Sequence, residues 1–225
     1  MEEIRRTGVT PPAKSRYSYV CGECKEPITS QEELNEHRAS HARDRIDRVP
    51  ARLLELGILE EHVSATLEDF AGVPEAKGLV ERWTRPGVLI MGMVGAGKTR
   101  LLVALCRHFL LQRQNVAYAM ARTLFRRIRA TYQEGARESE DQVIQDLVGV
   151  DFLAIDDLAH EGKVTEHVIG ALHEILSMRH GNGKPSAITT NLTLEGIGNQ
   201  YDAAIASRLG AWRRVVLVGK DWRKL

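Results

Sequence analysis

The chain has 225 residues, enough for one mid-sized domain with a sizeable core and a small appendage. Lys and Arg number 31 against 30 Asp and Glu, so no global basic field announces nucleic acid or a membrane surface, and any such surface must be local. The N-terminus lacks the apolar core of a signal peptide and no apolar run could span a bilayer, so the expectation is a soluble cytoplasmic protein with no membrane partner.

Residues 1–16 mix Gly8, Pro11 and Pro12 with charges and show no periodicity, which predicts a flexible tail. A small module is expected over residues 17–43. It carries two of the three cysteines, Cys21 and Cys24, followed by His37 and His41 at the spacing C-x2-C-x12-H-x3-H. Two thiolates from a hairpin knuckle and two imidazoles one helical turn apart make a tetrahedral site suited to Zn²⁺. Tyr19, Ile28 and Leu34 supply its few apolar contacts. The pattern resembles the C2H2 zinc finger family and implies a ββα unit that folds through its metal, with Ile28 where that family usually has an aromatic. If Leu34 and His37 are helix positions 4 and 7, the base-reading positions hold Ser30, Glu33 and Glu36. That acidic face would repel phosphate and favours docking on protein over reading DNA.

Residues 44–65 are charged and predict a helical connector interrupted at Pro50, and residues 66–225 form the main domain. Phe70 is a weak candidate for contact with a nucleotide base and a better one for core packing. Helix-like apolar spacing over residues 76–83 precedes the first strand.

The stretch that organises the domain is Val88 to Arg100, where an apolar strand enters GMVGAGKT and then an apolar helix over residues 101–111. This is the phosphate-binding loop in its strand-loop-helix setting. Gly92, Gly95 and Gly97 are expected to take positive φ, so that the N–H groups of Gly92, Met93, Val94, Gly95, Ala96, Gly97, Lys98, Thr99 and Arg100 can surround the phosphates of ATP. Lys98 should reach the β- and γ-phosphates and the Thr99 hydroxyl should coordinate Mg²⁺.

A second strand is expected over residues 115–120 and then a helix over 122–132. Arg122, Arg126, Arg127 and Arg129, with Phe125 and Tyr132, are the candidate local surface for single-stranded DNA, since cations track phosphates and aromatics stack on bases. The strand DFLAIDD ends in Asp156, which would hold the Mg²⁺ shell, and Asp157, which would orient or deprotonate the attacking water. A helix over 166–179 leads to the strand SAITTN, whose Asn191 could sit beside the γ-phosphate. Arg208 precedes a last strand over 215–218 and could reach a neighbouring subunit's nucleotide.

From about Leu53 to Arg223 the chain resembles the AAA+ ATPases of the DnaC, DnaI and IstB group, through GMVGAGKT, DFLAIDDL, ITTNL, SRL and the ending GKDWR. The resemblance implies an α/β fold with a five-stranded parallel sheet; as a departure from the usual pattern, the few residues after the last expected strand leave no room for a full helical lid. The resemblance also implies Asn191 as first sensor and Arg208 as an arginine finger acting in trans, which requires self-association or a partner ATPase. Asp157 stands where many AAA+ proteins have Glu, so slow, partner-dependent hydrolysis is expected. The expected function is an ATP-dependent loader that docks on a hexameric replicative helicase through its zinc module and acts with single-stranded DNA. The alternatives are an IstB-like transposition helper on duplex DNA and a nucleotide-switched, non-enzymatic adaptor.

Overall fold

The computed structural model describes residues 19–20, 27–28, 30–74, 76, 78–79, 87–159 and 164–218. The tail, the two cysteines expected to hold zinc, Cys21 and Cys24, and the ending GKDWR lie outside the described residues. The chain divides into two compact units, Met1–Arg48 and Val49–Leu225.

In the first unit, β1 (Tyr19–Val20) pairs antiparallel with β2 (Pro27–Ile28), with Tyr19 opposite Ile28. Helix α1 (Gln31–Glu55) follows, and its last turns, from Val49, belong to the second unit. Ser30 and Glu33 cap it reciprocally, the Glu33 N–H donating to Ser30 Oγ at 3.0 Å and the Ser30 N–H to the Glu33 carboxylate at 3.2 Å. The break expected at Pro50 does not occur, because the proline sits inside the helix. It leaves without a donor the carbonyl of Ile46, a residue 48% exposed, where water can take the place of the lost N–H.

The second unit contains α2 (Glu60–Val63), a 3-10 turn over Glu68–Phe70, β3 (Gly87–Gly92), α3 (Lys98–Leu111), β4 (Val116–Met120), α4 (Ala121–Ala130) and α5 (Glu140–Gly149). It continues with β5 (Phe152–Asp156), α6 (Glu166–Gly181), β6 (Ser186–Thr190), α7 (Leu194–Gln200), α8 (Ala203–Gly210) and β7 (Arg213–Leu217). The five strands form one parallel sheet in the order β4-β5-β6-β3-β7. Strands β5 and β6 are buried along their whole length, so FLAI of β5 reads as an apolar run rather than an alternating one, while β6 carries Ser186, Thr189 and Thr190 buried with Ala187 and Ile188.

Alternation along the strands splits the core in two. Val88, Ile90, Phe152, Ala154 and Ala187 face α3, and Phe109 of α3 stacks on Phe152 with ring centroids 4.1 Å apart. Leu89, Leu153, Ile155 and Ile188 face the other layer, built from α4 to α8. Val49, Leu53, Ile58, Ala65 and Phe70 join the α3 side, so the segment from Val49 onward is core rather than a solvated linker. Phe70 is 2% exposed and packs as core, not as a base-binding ring. Ala76 and Leu79 lie in turns and are buried there, so the helix expected over 76–83 is not seen among the described residues. Sequence periodicity also missed α5 and α7, each of which opens on a side-chain cap, from Ser139 and Thr193.

Arg179 locks the end of this sheet remote from the phosphate loop. It is 1% exposed, and its guanidinium donates to Ser186 Oγ and to the carbonyls of Leu147, Val150, Asp151 and Pro185. It thereby ties the C-terminus of α5 to the starts of β5 and β6. Burial pushes its pKa down to about 10, still charged at neutral pH. Arg179→Met is expected to cost about 3–5 kcal/mol in denaturant unfolding, since it strands several buried carbonyls. Arg129→Ala, on an exposed face, should change stability by less than about 0.5 kcal/mol.

Candidate nucleotide site

The loop after β3 has the backbone that the glycines were expected to provide. Gly92, Gly95 and Gly97 take φ of 153°, 81° and 89°. A Cβ on Gly92 would meet the Leu217 carbonyl oxygen at 2.6 Å, so close packing against β7 also demands glycine there. Gly97 is the residue before α3, and the first turn of α3 carries Lys98, Thr99 and Arg100. Met93 and Val94 are exposed at the tip of the loop, and Ala96 is buried beneath it. Lys98 Nζ donates to the carbonyls of Gly92 and Met93 at 3.0 and 2.9 Å, poised over the loop. Arg100 turns away to pair with Asp69 at 3.2 Å, and Asp69 in turn accepts the Thr66 N–H, so the lead-in segment is fastened to the start of α3.

Parallel pairing brings the other strand ends to the same edge. Asp156, the last residue of β5, is 4% exposed. Its Oδ1 accepts from Thr99 Oγ1 at 3.2 Å and from Thr189 Oγ1 at 2.5 Å, and its Oδ2 accepts from the Tyr118 hydroxyl at 2.7 Å. Burial, then the nearby Asp156 charge, push the Tyr118 phenol well above its ordinary pKa, so it stays a donor. Among the described residues the carboxylate's partners are therefore three neutral hydroxyls. A buried carboxylate ringed by hard oxygen atoms and lacking a counter-charge fits a Mg²⁺ ion held by Asp156 and Thr99.

Asp157 is exposed and left-handed, with φ of 58°. Its N–H donates to Thr189 Oγ1 at 2.7 Å. Asn191 is exposed and sits one residue past the Met91–Thr190 pairing, level with the start of the phosphate loop. Arg208 lies in the last turn of α8, partly buried, and its Nε has no hydrogen-bond partner among the described residues. Cys106 is fully buried in the core, and burial pushes its thiol up, leaving it chemically inert.

In the first unit, His37 and His41 stand on one face of α1 with Nε2 atoms 3.2 Å apart. No cluster of three metal-ligating side chains occurs among the described residues, which exclude Cys21 and Cys24. On α4, Arg122, Arg126 and Arg129 are exposed on one face. Two members of the expected nucleic-acid surface are not available. Phe125 is 1% exposed, and Arg127 is held by Glu138 at 2.7 Å and Asp146 at 2.6 Å. Tyr132 is half exposed, its ring 4.4 Å from that of His167.

Sequence reasoning missed Tyr118 and Thr189. The available signal was a hydroxyl pointing to the covered side of a strand, Tyr118 in VAYAM and Thr189 in SAITT, which must find a partner.

Fold and site define a phosphate-loop ATP-binding protein with the strand order of the AAA+ class. The profile of the family described as "IstB-like ATP binding protein" matches residues 73–210, and the chain belongs to that family. It is 28% identical over 123 residues to the replicative helicase loader DnaC of Escherichia coli K12, covering 54% of this chain and 49% of DnaC, with the same figures for Shigella flexneri. The chain thus spans about half the length of the curated relatives it matches. Among solved structures it resembles DnaI, with TM-score 0.59 and 19% identity over 74% of this chain and 94% of that one. It also resembles the DnaC helicase loader, with TM-score 0.58 and 19% identity over 71% and 100% of the two chains. AMPPCP-bound DnaA from Aquifex aeolicus gives 0.58 and 20% over 70% and 51%. At these identities the structural likeness is one of fold. No helix among the described residues is long and apolar enough to cross a membrane.

Gly92→Ala is expected to lower stability by about 2 kcal/mol in denaturant titration and to weaken ATP binding about tenfold, because the new Cβ must displace the β7 backbone. Gly170→Ala, with open space around its Cβ in α6, should be neutral or slightly stabilising.

Proposed function

We propose that this protein is an ATP-dependent loader of a hexameric replicative helicase. The observation that carries the reading is the meeting of phosphate loop, Thr99 and buried Asp156 in a chain whose curated relatives are replicative helicase loaders. Lys98 would hold the β- and γ-phosphates, and Thr99 with Asp156 would hold Mg²⁺, which when bound neutralises phosphate charge. Asp157 would orient the attacking water, and Asn191 would sense the γ-phosphate. Arg208, in the last turn of α8, would serve as the finger for a neighbouring subunit. With an Asp at position 157, turnover would be slow and raised by partners.

Residues 17–43 would form the zinc module, with Cys21, Cys24, His37 and His41 as ligands, residues 44–65 the connector and 66–225 the ATPase domain. Two imidazole nitrogens on one tetrahedral Zn²⁺ lie about 3.3 Å apart, and the observed 3.2 Å between the histidine nitrogens supports this. The acidic outer face of the module favours docking on the helicase. The exposed arginines of α4, with Tyr132, would track single-stranded DNA. A second reading, a transposition helper on duplex DNA, draws support from the IstB-like family match.

The test is capture of the source organism's replicative helicase by the full chain. Zinc-loaded protein should retain it in the presence of ATP, while chelation or Cys21→Ser should abolish capture with the ATPase domain still folded. Undiminished capture without zinc would overturn the docking role, and ATP-dependent filaments on duplex DNA without helicase binding would replace the loader with the transposition helper. Lys98→Ala should weaken ATP binding about 10- to 100-fold in a fluorescent-nucleotide titration. Arg126→Ala and Arg129→Ala should each reduce the salt slope of single-strand binding by about 0.7.

A further inference from the structure

The hydroxyls of Thr189 and Tyr118 converge on one buried carboxylate, that of Asp156. Tyr118 on β4, Asp156 on β5 and Thr189 on β6 lie on the sheet face that meets α3, and they come from three adjacent strands. Thr189 is 1% exposed. Its single hydroxyl proton goes to Asp156 Oδ1 at 2.5 Å, and a lone pair of the same oxygen receives the Asp157 N–H at 2.7 Å. One hydroxyl therefore touches the side chain of the candidate metal ligand and the backbone of the candidate water-orienting residue.

Both carboxylate oxygens of Asp156 have donors, Thr189 and Thr99 on Oδ1 and Tyr118 on Oδ2, so the carboxylate plane cannot rotate freely. The turn that follows is held equally firmly. The Leu158 N–H donates to the Thr189 carbonyl at 2.8 Å, and Thr190 Oγ1 donates to the Leu158 carbonyl. Asp157 keeps a left-handed backbone that a residue with a Cβ rarely adopts. Thr189 and Thr190 of β6 thus hold the backbone of Asp157 and of the residue after it.

We propose that Thr189 and Tyr118 are positioning residues of the ATPase site, Thr189 setting the carboxylate of Asp156 and the backbone of Asp157 together and Tyr118 fixing the second oxygen of Asp156. The inference rests on the reading of Thr99 and Asp156 as the Mg²⁺ site. Partners that orient a metal-holding carboxylate without touching the metal typically govern affinity by 10- to 100-fold when lost.

The test measures nucleotide affinity as a function of Mg²⁺ concentration, and turnover beside it, on the full chain. Thr189→Val keeps the shape and removes the hydroxyl. It should bind ATP in EDTA within about twofold of wild type, need about tenfold more Mg²⁺ for half-maximal tightening, and turn over at least about tenfold more slowly. Thr189→Ser restores the hydroxyl and should return both quantities to near wild type. Tyr118→Phe should raise the Mg²⁺ requirement by a smaller factor, about threefold. A purely structural role would lower thermal stability without moving the Mg²⁺ midpoint, and a wild-type midpoint in Thr189→Val overturns the proposal. Should Thr189→Val fail to fold, Tyr118→Phe decides in its place, an unchanged midpoint counting against the proposal and a rise supporting it. Lys98→Ala is the control for the underlying reading. If it leaves ATP affinity intact, the phosphate-loop assignment fails, whereas lost binding in Lys98→Ala with wild-type behaviour in Thr189→Val refutes only the positioning role.

Discussion

A carboxylate buried at the carboxyl end of β5 is the constraint on which the rest of the structure depends. Asp156 is almost fully shielded from water, and among the described residues its hydrogen-bond partners are hydroxyls. Shielding such a group without a counter-charge costs several kcal/mol, so the fold must either supply donors or recruit a positive ion. Here it supplies donors from β4, β6 and α3. All three lie within reach because every strand of the sheet runs the same way, which gathers the carboxyl ends of the strands beside the first turn of the helix after the phosphate loop.

The same gathering ties the loops at the strand ends to one another. Thr190 donates to the Leu158 carbonyl and accepts the Leu192 N–H at 3.0 Å. The turn holding Asp157 and the segment holding Asn191 are thus fastened to one another through a single threonine. On the opposite side of the loop, the Arg100–Asp69 pair joins the start of α3 to the lead-in segment, which places the residues after α2 in contact with the nucleotide-binding helix. Arg179 cross-links the far ends of β5 and β6 through the Asp151 and Pro185 carbonyls and Ser186 Oγ.

What the sequence made legible follows from range. The phosphate loop is a local pattern, its glycines dictated by backbone geometry and its neighbours by the strand and helix it joins. Strand β5 is buried on both faces and so appears as an apolar run ending in Asp156. Long-range polar contacts leave no such trace. Tyr118 and Thr189 meet Asp156 from sequence positions 38 and 33 residues away, and nothing in VAYAM or SAITT announces that meeting beyond a hydroxyl in an apolar setting. Arg179 looks like a surface residue at the end of an amphipathic helix, yet it is buried. Arg127 reads as part of a basic helix face until Glu138 and Asp146, brought round by the loop before α5 and by α5 itself, take its charge. Pro50 reads as a helix break, but a helix with one exposed side can lose a single hydrogen bond and continue.

The most direct test of the account is a crystal structure of the full chain with a non-hydrolysable ATP analogue and Mn²⁺ in place of Mg²⁺, located by anomalous scattering. The account predicts a manganese peak about 2.2 Å from Thr99 Oγ1, linked to the Asp156 carboxylate directly or through one water, with the β- and γ-phosphates wrapped by the loop and Lys98 moved onto them from the Gly92 and Met93 carbonyls. A nucleotide bound elsewhere, or a manganese ion with neither Thr99 nor Asp156 in its shell, would contradict it.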